Sequence, residues 1–211
     1  MRKLKDYRSR LNKKGLRFPN ILSRNGAFLI YFLSTDREPF AILKAKMIVG
    51  RHRGMKKILF VCHGNICRSP MAEFVMKDLV EKAGLAAQFH IESAATSCEE
   101  IGNPVYPPTR RKLAEHGIAC GGHAARQLTQ SDYKEFDLLI GMDKANLRNM
   151  QRICGGDPHG KIHLLLDYIG HPRDVADPWY TGDFEATWQD VLAGCQGLLK
   201  VLTSVRYSEG G

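Results

Sequence analysis

Long apolar stretches are missing from this 211-residue sequence. The longest, Ala27 to Leu33, has seven residues, far short of the roughly 18–20 that span a bilayer, so no membrane span is expected. No small-residue cleavage site follows that run, and 26 residues precede it, so a signal peptide is not expected either. Proline and glycine, at 9 and 20, are too few for a collagen-like or low-complexity chain. Cysteine is sparse as well. Cys62, Cys67, Cys98, Cys120, Cys154 and Cys195 are scattered rather than spaced as a secreted disulfide framework, which suits a reducing, cytoplasmic compartment. With 44% hydrophobic and 25% charged residues, the chain can bury a core and reads as a soluble globular protein.

Acidic charge is nearly absent from one region only. Residues 1–54 hold 14 of the 31 Lys and Arg but 3 of the 22 Asp and Glu, a net +11. That leaves 17 basic and 19 acidic residues over 55–211, a net −2. The overall +9 therefore belongs to the first quarter of the chain, and no nucleic-acid partner is expected for 55–211. Residues 1–54 show no clear helical or strand period. They are read as a basic extension, either a disordered binding tail or upstream sequence from a mis-assigned start. The second reading is preferred, because a strand begins just after Met55.

From residue 55 onward, strand and helix patterns alternate. Ile58–Val61 is a short β-rich apolar run. The spacing predicts a helix over Ser69–Ala83, a strand over Phe89–Ser93 and a helix from Pro107 to His116. Further on it predicts a strand over Asp137–Met142, a helix over Asp143–Ile153, a strand over Lys161–Leu166 and a closing helix over Phe184–Val205. Such alternation implies an α/β fold: a single three-layer domain around a four-stranded parallel, doubly wound, flavodoxin-like sheet. Ligands bind beyond the carboxyl ends of such strands, which directs attention to the loop after Val61.

That loop reads Cys62-His63-Gly64-Asn65-Ile66-Cys67-Arg68-Ser69-Pro70. Between a strand end and a helix start, backbone N–H groups can converge on an anion that the helix dipole favours. Gly64 and Asn65 tolerate the left-handed backbone such a nest requires. Arg68 offers a planar fork for two phosphate oxygens. At the bottom, Cys62 would sit in positive potential, which favours the nucleophilic thiolate. Ser69 could donate to its sulfur. Cys-x5-Arg by itself is equally compatible with a buried core cysteine and a surface arginine. A strand directly before and a helix directly after favour the phosphate loop, and the nucleotide pattern G-x-x-x-x-G-K-[ST] is absent.

Val61 to Pro70 closely resembles the signature of the low-molecular-weight protein tyrosine phosphatases, Cys67 included. Three distant segments extend the resemblance: His123-Ala124-Ala125-Arg126-Gln127, Met142-Asp143-Lys144-Ala145-Asn146 and Asp177-Pro178-Trp179-Tyr180. It covers about 55–207. The resemblance implies hydrolysis of phosphotyrosine in proteins through a cysteinyl-phosphate, with Cys62, Arg68 and Asp177 catalytic. His63, Gly64, Asn65, Ile66, Cys67 and Ser69 would complete the phosphate loop. Ser93 and His123 match positions that hold that loop, and Trp179 and Tyr180 would wall the cleft. Asp177 would protonate the phenolate, a poor leaving group, although Asp-Pro read alone is a turn. Trp179 stands where tyrosine is usual, and Glu99 falls on a cleft position that is often aromatic. A reversible disulfide between Cys62 and Cys67 is expected under peroxide, with Cys67 as redox partner.

The implied partners are phosphotyrosine-bearing proteins, a tyrosine kinase among the candidates. Cys154, His159 and His163 invite a zinc reading, but two histidines about 13 Å apart along a strand lack a matching cysteine pair. The chemistry needs no metal or other cofactor. Three alternatives stay open. A phosphoarginine phosphatase of this fold tends to carry threonine where Ile66 stands. An arsenate reductase needs a cysteine relay where this chain has Gly141-Met142-Asp143. A phosphate-binding module with a basic nucleic-acid or membrane tether would bind without turnover.

Overall fold

The computed structural model describes residues 54–170 and 172–204. The expectations for residues 1–53 and for the last residue of the closing helix lie outside that range.

β1 (Lys56–Cys62) is central and parallel to both β2 (Phe89–Ala95) and β3 (Leu138–Gly141). β4 (Ile162–Leu164) pairs with β3, so the parallel order is β2-β1-β3-β4. Side chains alternate across each strand. Ile58, Phe60 and Cys62 therefore face one core with Leu138 and Ile140, while Leu59 and Val61 face the other with Leu139. The first core is closed by α1 (Arg68–Lys82) and the long α6 (Phe184–Ser204), through Met71, Met76, Val191 and Leu198. The second is closed by α3 (Gln130–Glu135) and α4 (Lys144–Cys154), through Tyr133, Met150 and Cys154. Each fully buried Leu, Ile or Phe contributes about 1.5–3 kcal/mol to holding these layers together. α2 (Pro107–Glu115) lies beside α1, and the single-turn α5 (Pro178–Thr181) precedes α6. The expected three-layer α/β architecture is borne out.

The differences are local. The strand expected over Lys161–Leu166 ends at Leu164 and turns into a 3-10 segment over Leu165–Ile169. The Asp167 carboxylate accepts the Leu164 N–H at 3.2 Å, and Gly170 closes the turn at φ +76°. The hydrophobic run therefore continues, but it packs as a helical turn. α3 was not expected, since six residues show no helical period. Its signal is the capping pair Thr129 and Asp132, whose side chains each accept the other residue's backbone N–H.

The strand order reverses between β1 and β3, the place where such sheets open a crevice at their carboxyl ends. Cys62 ends β1 there and Met142-Asp143 follows β3. Gly141 makes this close: a Cβ on it would lie 2.6 Å from Leu147 of α4. Among the described residues no helix is long and apolar enough to cross a membrane.

Candidate active site

The loop after β1 wraps around the Cys62 sulfur. Cys62 Sγ accepts the backbone N–H of Asn65 at 3.3 Å and lies 3.1 Å from the Ser69 hydroxyl. Ser69 also accepts from Asn65 Nδ2 at 2.9 Å, so its one proton is left for Cys62 or for the Ala94 carbonyl, 3.4 Å away. A thiolate would claim that proton, which makes Ser69 a donor to sulfur.

Asn65 holds the loop in shape. Its φ is +59°, a left-handed conformation that asparagine tolerates better than most residues, and it is fully buried. Every polar group of its side chain is satisfied. Nδ2 donates to Ser69 and, at 2.8 Å, to Ser93, while Oδ1 accepts the Arg126 N–H at 3.1 Å. Its carbonyl is 2.9 Å from His123 Nε2. Glycine would meet the backbone requirement but would lose all three side-chain bonds, each costly to leave unmade in a buried place. The Ser93 hydroxyl donates a hydrogen bond to Glu73, whose carboxylate stands 3.9 Å from His123 Nδ1.

Arg68 is buried at the start of α1. Its Nη1 meets Asp143 Oδ2 at 2.6 Å and its Nη2 contacts Asp177 Oδ2. Asp143 caps α4 by accepting the Asn146 N–H, which fixes the Arg68 fork from beyond β3. Asp177 caps α5 through the Trp179 N–H at 3.1 Å. The second loop cysteine is different in kind: burial pushes the Cys67 thiol up to about 12.

A cleft of about 150 Å³ opens at this place, lined by Cys62, Arg68, His63, Gly64, Ile66, Cys67 and Asp177. Glu99, Glu100, Trp179 and Tyr180 complete it. Trp179 packs on Tyr106 at 5.5 Å between ring centres, and Tyr180 is 85% exposed, so the tyrosine leaves an aromatic face open at the mouth. Glu99 pairs with His63 across the rim at 3.0 Å. The structure thus gathers the sequence-predicted site residues at one place, with Asn65, Ser69, Ser93 and His123 behind the cleft rather than lining it.

A family profile described as low molecular weight phosphotyrosine protein phosphatase matches residues 57–207. The chain belongs to that family. YfkJ of Bacillus subtilis, a low molecular weight protein-tyrosine-phosphatase, is 42% identical over 147 residues, which are 69% of this chain and 94% of that protein. Its crystal structure matches with a TM-score of 0.71 at 40% identity, covering 74% of this chain and 99% of that one. The low molecular weight phosphotyrosine protein phosphatase of Schizosaccharomyces pombe is 45% identical over 129 residues, 60% of this chain and 82% of its own length. A crystal structure of drosophila arginine phosphatase matches with a TM-score of 0.64 at 32% identity, covering 68% of this chain and 96% of that one. The expected resemblance to this family is borne out.

Several site residues escaped sequence reasoning. Asp143 lies within the Met142–Asn146 motif, but only the structure assigns it to Arg68. Glu73 carries a weak signal, one helical turn after Ser69. His159 stacks on Tyr133 and His163 lies against Tyr168, in separate surroundings. Among the described residues no group of three or more His, Cys, Asp or Glu is placed to hold a metal.

Proposed function

We propose that this family member hydrolyses phosphotyrosine in proteins through a cysteinyl-phosphate. The observation that supports it most is Cys62 at the floor of the cleft, with Asn65 N–H and Ser69 on its sulfur and Arg68 beside it. Cys62 Sγ attacks phosphorus, the S–P bond forms and the P–O bond to the aryl oxygen breaks. Asp177 gives its proton to that oxygen. Arg68 and the N–H groups of the loop stabilise the equatorial oxygens, where charge builds up. In the second step Asp177 takes a proton from water as its oxygen bonds to phosphorus, and the Cys62 thiolate leaves. Orthophosphate departs. Six free thiols suit a cytoplasmic setting, and the partners are phosphotyrosine-bearing proteins, a tyrosine kinase among them.

Ile66 separates this reading from phosphoarginine hydrolysis. It is 8% exposed and packs on Cys67 and Ala125 at the edge of the cleft. In competition between phosphotyrosine and phosphoarginine peptides, the wild type is expected to prefer phosphotyrosine, and Ile66→Thr to shift the ratio toward phosphoarginine. A wild-type preference for phosphoarginine would sink the substrate assignment.

The loop also supports redox control. Hydrogen peroxide would oxidise the Cys62 thiolate to the sulfenic acid, and the Cys67 sulfur would then form the disulfide as hydroxide leaves. Because burial holds the proton on Cys67, ring closure is expected to quicken as pH rises. Dithiothreitol should restore more activity to peroxide-treated wild type than to Cys67→Ala. Equal recovery would leave Cys67 as packing only.

A further inference from the structure

The general-acid loop hangs from α6 by a device outside the cleft. Residues 172–177 form neither helix nor strand, so specific bonds must fix their path. On one side the Val175 N–H donates to the Met142 carbonyl at 2.8 Å, tying the segment to the end of β3. On the other side α6 grips Ala176, the residue directly before Asp177, by both halves of its backbone. The Ala176 N–H donates to Asp190 Oδ2 at 3.2 Å, and the Ala176 carbonyl accepts from Thr187 Oγ1 at 2.9 Å. Asp190 is held in turn by a two-pronged ion pair, with Arg173 Nη1 at 2.7 Å and Nη2 at 2.5 Å.

The rest of α6 leaves this grip no slack. Thr187, Asp190, Gly194 and Gly197 share one helix face by their spacing of three, four and three. A Cβ at Gly197 would lie 2.6 Å from the Tyr168 carbonyl, and one at Gly194 would lie 2.5 Å from Leu165. The glycines let the helix seat directly on the 3-10 segment that leads into the strap. Asp190 is 7% exposed, and a carboxylate buried this far is a poor choice for stability alone, since its desolvation offsets much of the ion-pair attraction. What it supplies is one acceptor point shared by Arg173 and the Ala176 N–H.

We propose that Asp190 is a positioning residue for Asp177: by stapling Arg173 and Ala176 to α6 it fixes where the general acid stands over the cleft. The inference rests on the reading of Asp177 as the acid. A displacement of about 1 Å in a reacting group can cost about 10²-fold in rate. Loosening the strap therefore weakens proton delivery while leaving Cys62 and the Asp143 anchor of Arg68 in place.

The test is kcat/KM for aryl phosphates whose phenols range from acidic to tyrosine-like, in wild type, Asp190→Ala, Arg173→Ala and Asp177→Asn. For Asp190→Ala the loss should grow as the phenol becomes less acidic, reaching on the order of 10-fold for phenyl phosphate and about twofold or less for nitrophenyl phosphate. Arg173→Ala should show the same trend more weakly. Its side chain is 54% exposed, so it also serves if Asp190→Ala does not fold. Loss spread evenly over the series, or no loss, would overturn the positioning role. If Asp177→Asn shows the leaving-group trend and the strap variants do not, the staple alone is refuted. If Asp177→Asn shows no trend, the acid assignment falls and the staple's role with it.

Discussion

Cys62→Ser is expected to lower turnover of any aryl phosphate by at least about 10⁴-fold while inorganic phosphate still binds within a fewfold of the wild type. Among the described residues lining the cleft, Cys62 is the thiol with hydrogen-bond donors on its sulfur, whereas burial keeps the proton on Cys67. A serine hydroxyl in place of Cys62 keeps its proton, because an alcohol is a far weaker acid than a thiol and neither neighbour, Ser69 Oγ nor the Asn65 N–H, is a base that could take it. Phosphate affinity should survive because Arg68 and the loop backbone are unchanged. Asn65 is held by Ser69, Ser93, Arg126 and His123 independently of the sulfur. Calorimetric titration with phosphate and a burst-sensitive assay with nitrophenyl phosphate measure the two quantities separately. Normal turnover in Cys62→Ser would overturn the cysteinyl-phosphate mechanism. Loss of binding together with turnover would make Cys62 an organiser of the loop instead.

Much of this was legible in the sequence, for a physical reason. The parallel sheet buries both faces of β1 and β3, so their sequences are near-continuous apolar runs, and the loop between β1 and α1 carries its chemistry in consecutive residues. Asn65 could be singled out because a tight anion loop needs left-handed backbone. Legibility fails where the partner is far along the chain. Nothing near Arg68 tells that Asp143, 75 residues on, holds its Nη1, because only the β1–β3 pairing brings them together. The same holds for Asp190: its place in α6 looks like any polar position until the strap is seen lying across it. The end of β4 is not legible, because apolar periodicity does not distinguish a strand from a buried 3-10 turn, whereas Asp167 on the Leu164 N–H does.

Removing the Asp177 carboxylate is expected to have opposite effects on turnover and on anion binding. In kcat/KM for phenyl phosphate, Asp177→Asn should lose about 10²–10⁴-fold, since the departing phenolate, whose conjugate acid has a pKa of about 10, no longer receives a proton. For nitrophenyl phosphate the loss should be far smaller. Asparagine is the informative substitution. Its side-chain oxygen can still accept the Trp179 N–H that starts α5, so the aromatic wall stays in place, whereas alanine would also remove a helix cap worth about 1 kcal/mol. Phosphate, by contrast, should bind severalfold more tightly to Asp177→Asn. In the structure the carboxylate lies on Arg68 Nη2, so an incoming phosphate must share that donor with it and approach a like charge. Asp143 on Nη1 keeps the guanidinium in place after the change. Unchanged or weaker phosphate binding would mean that Asp177 does not compete for Arg68. Equal loss across the leaving-group series would remove it from proton transfer. Together these outcomes separate the two things that one carboxylate does: it withholds Arg68 from anions while the cleft is free, and it turns to the leaving oxygen once a phosphate has taken that donor.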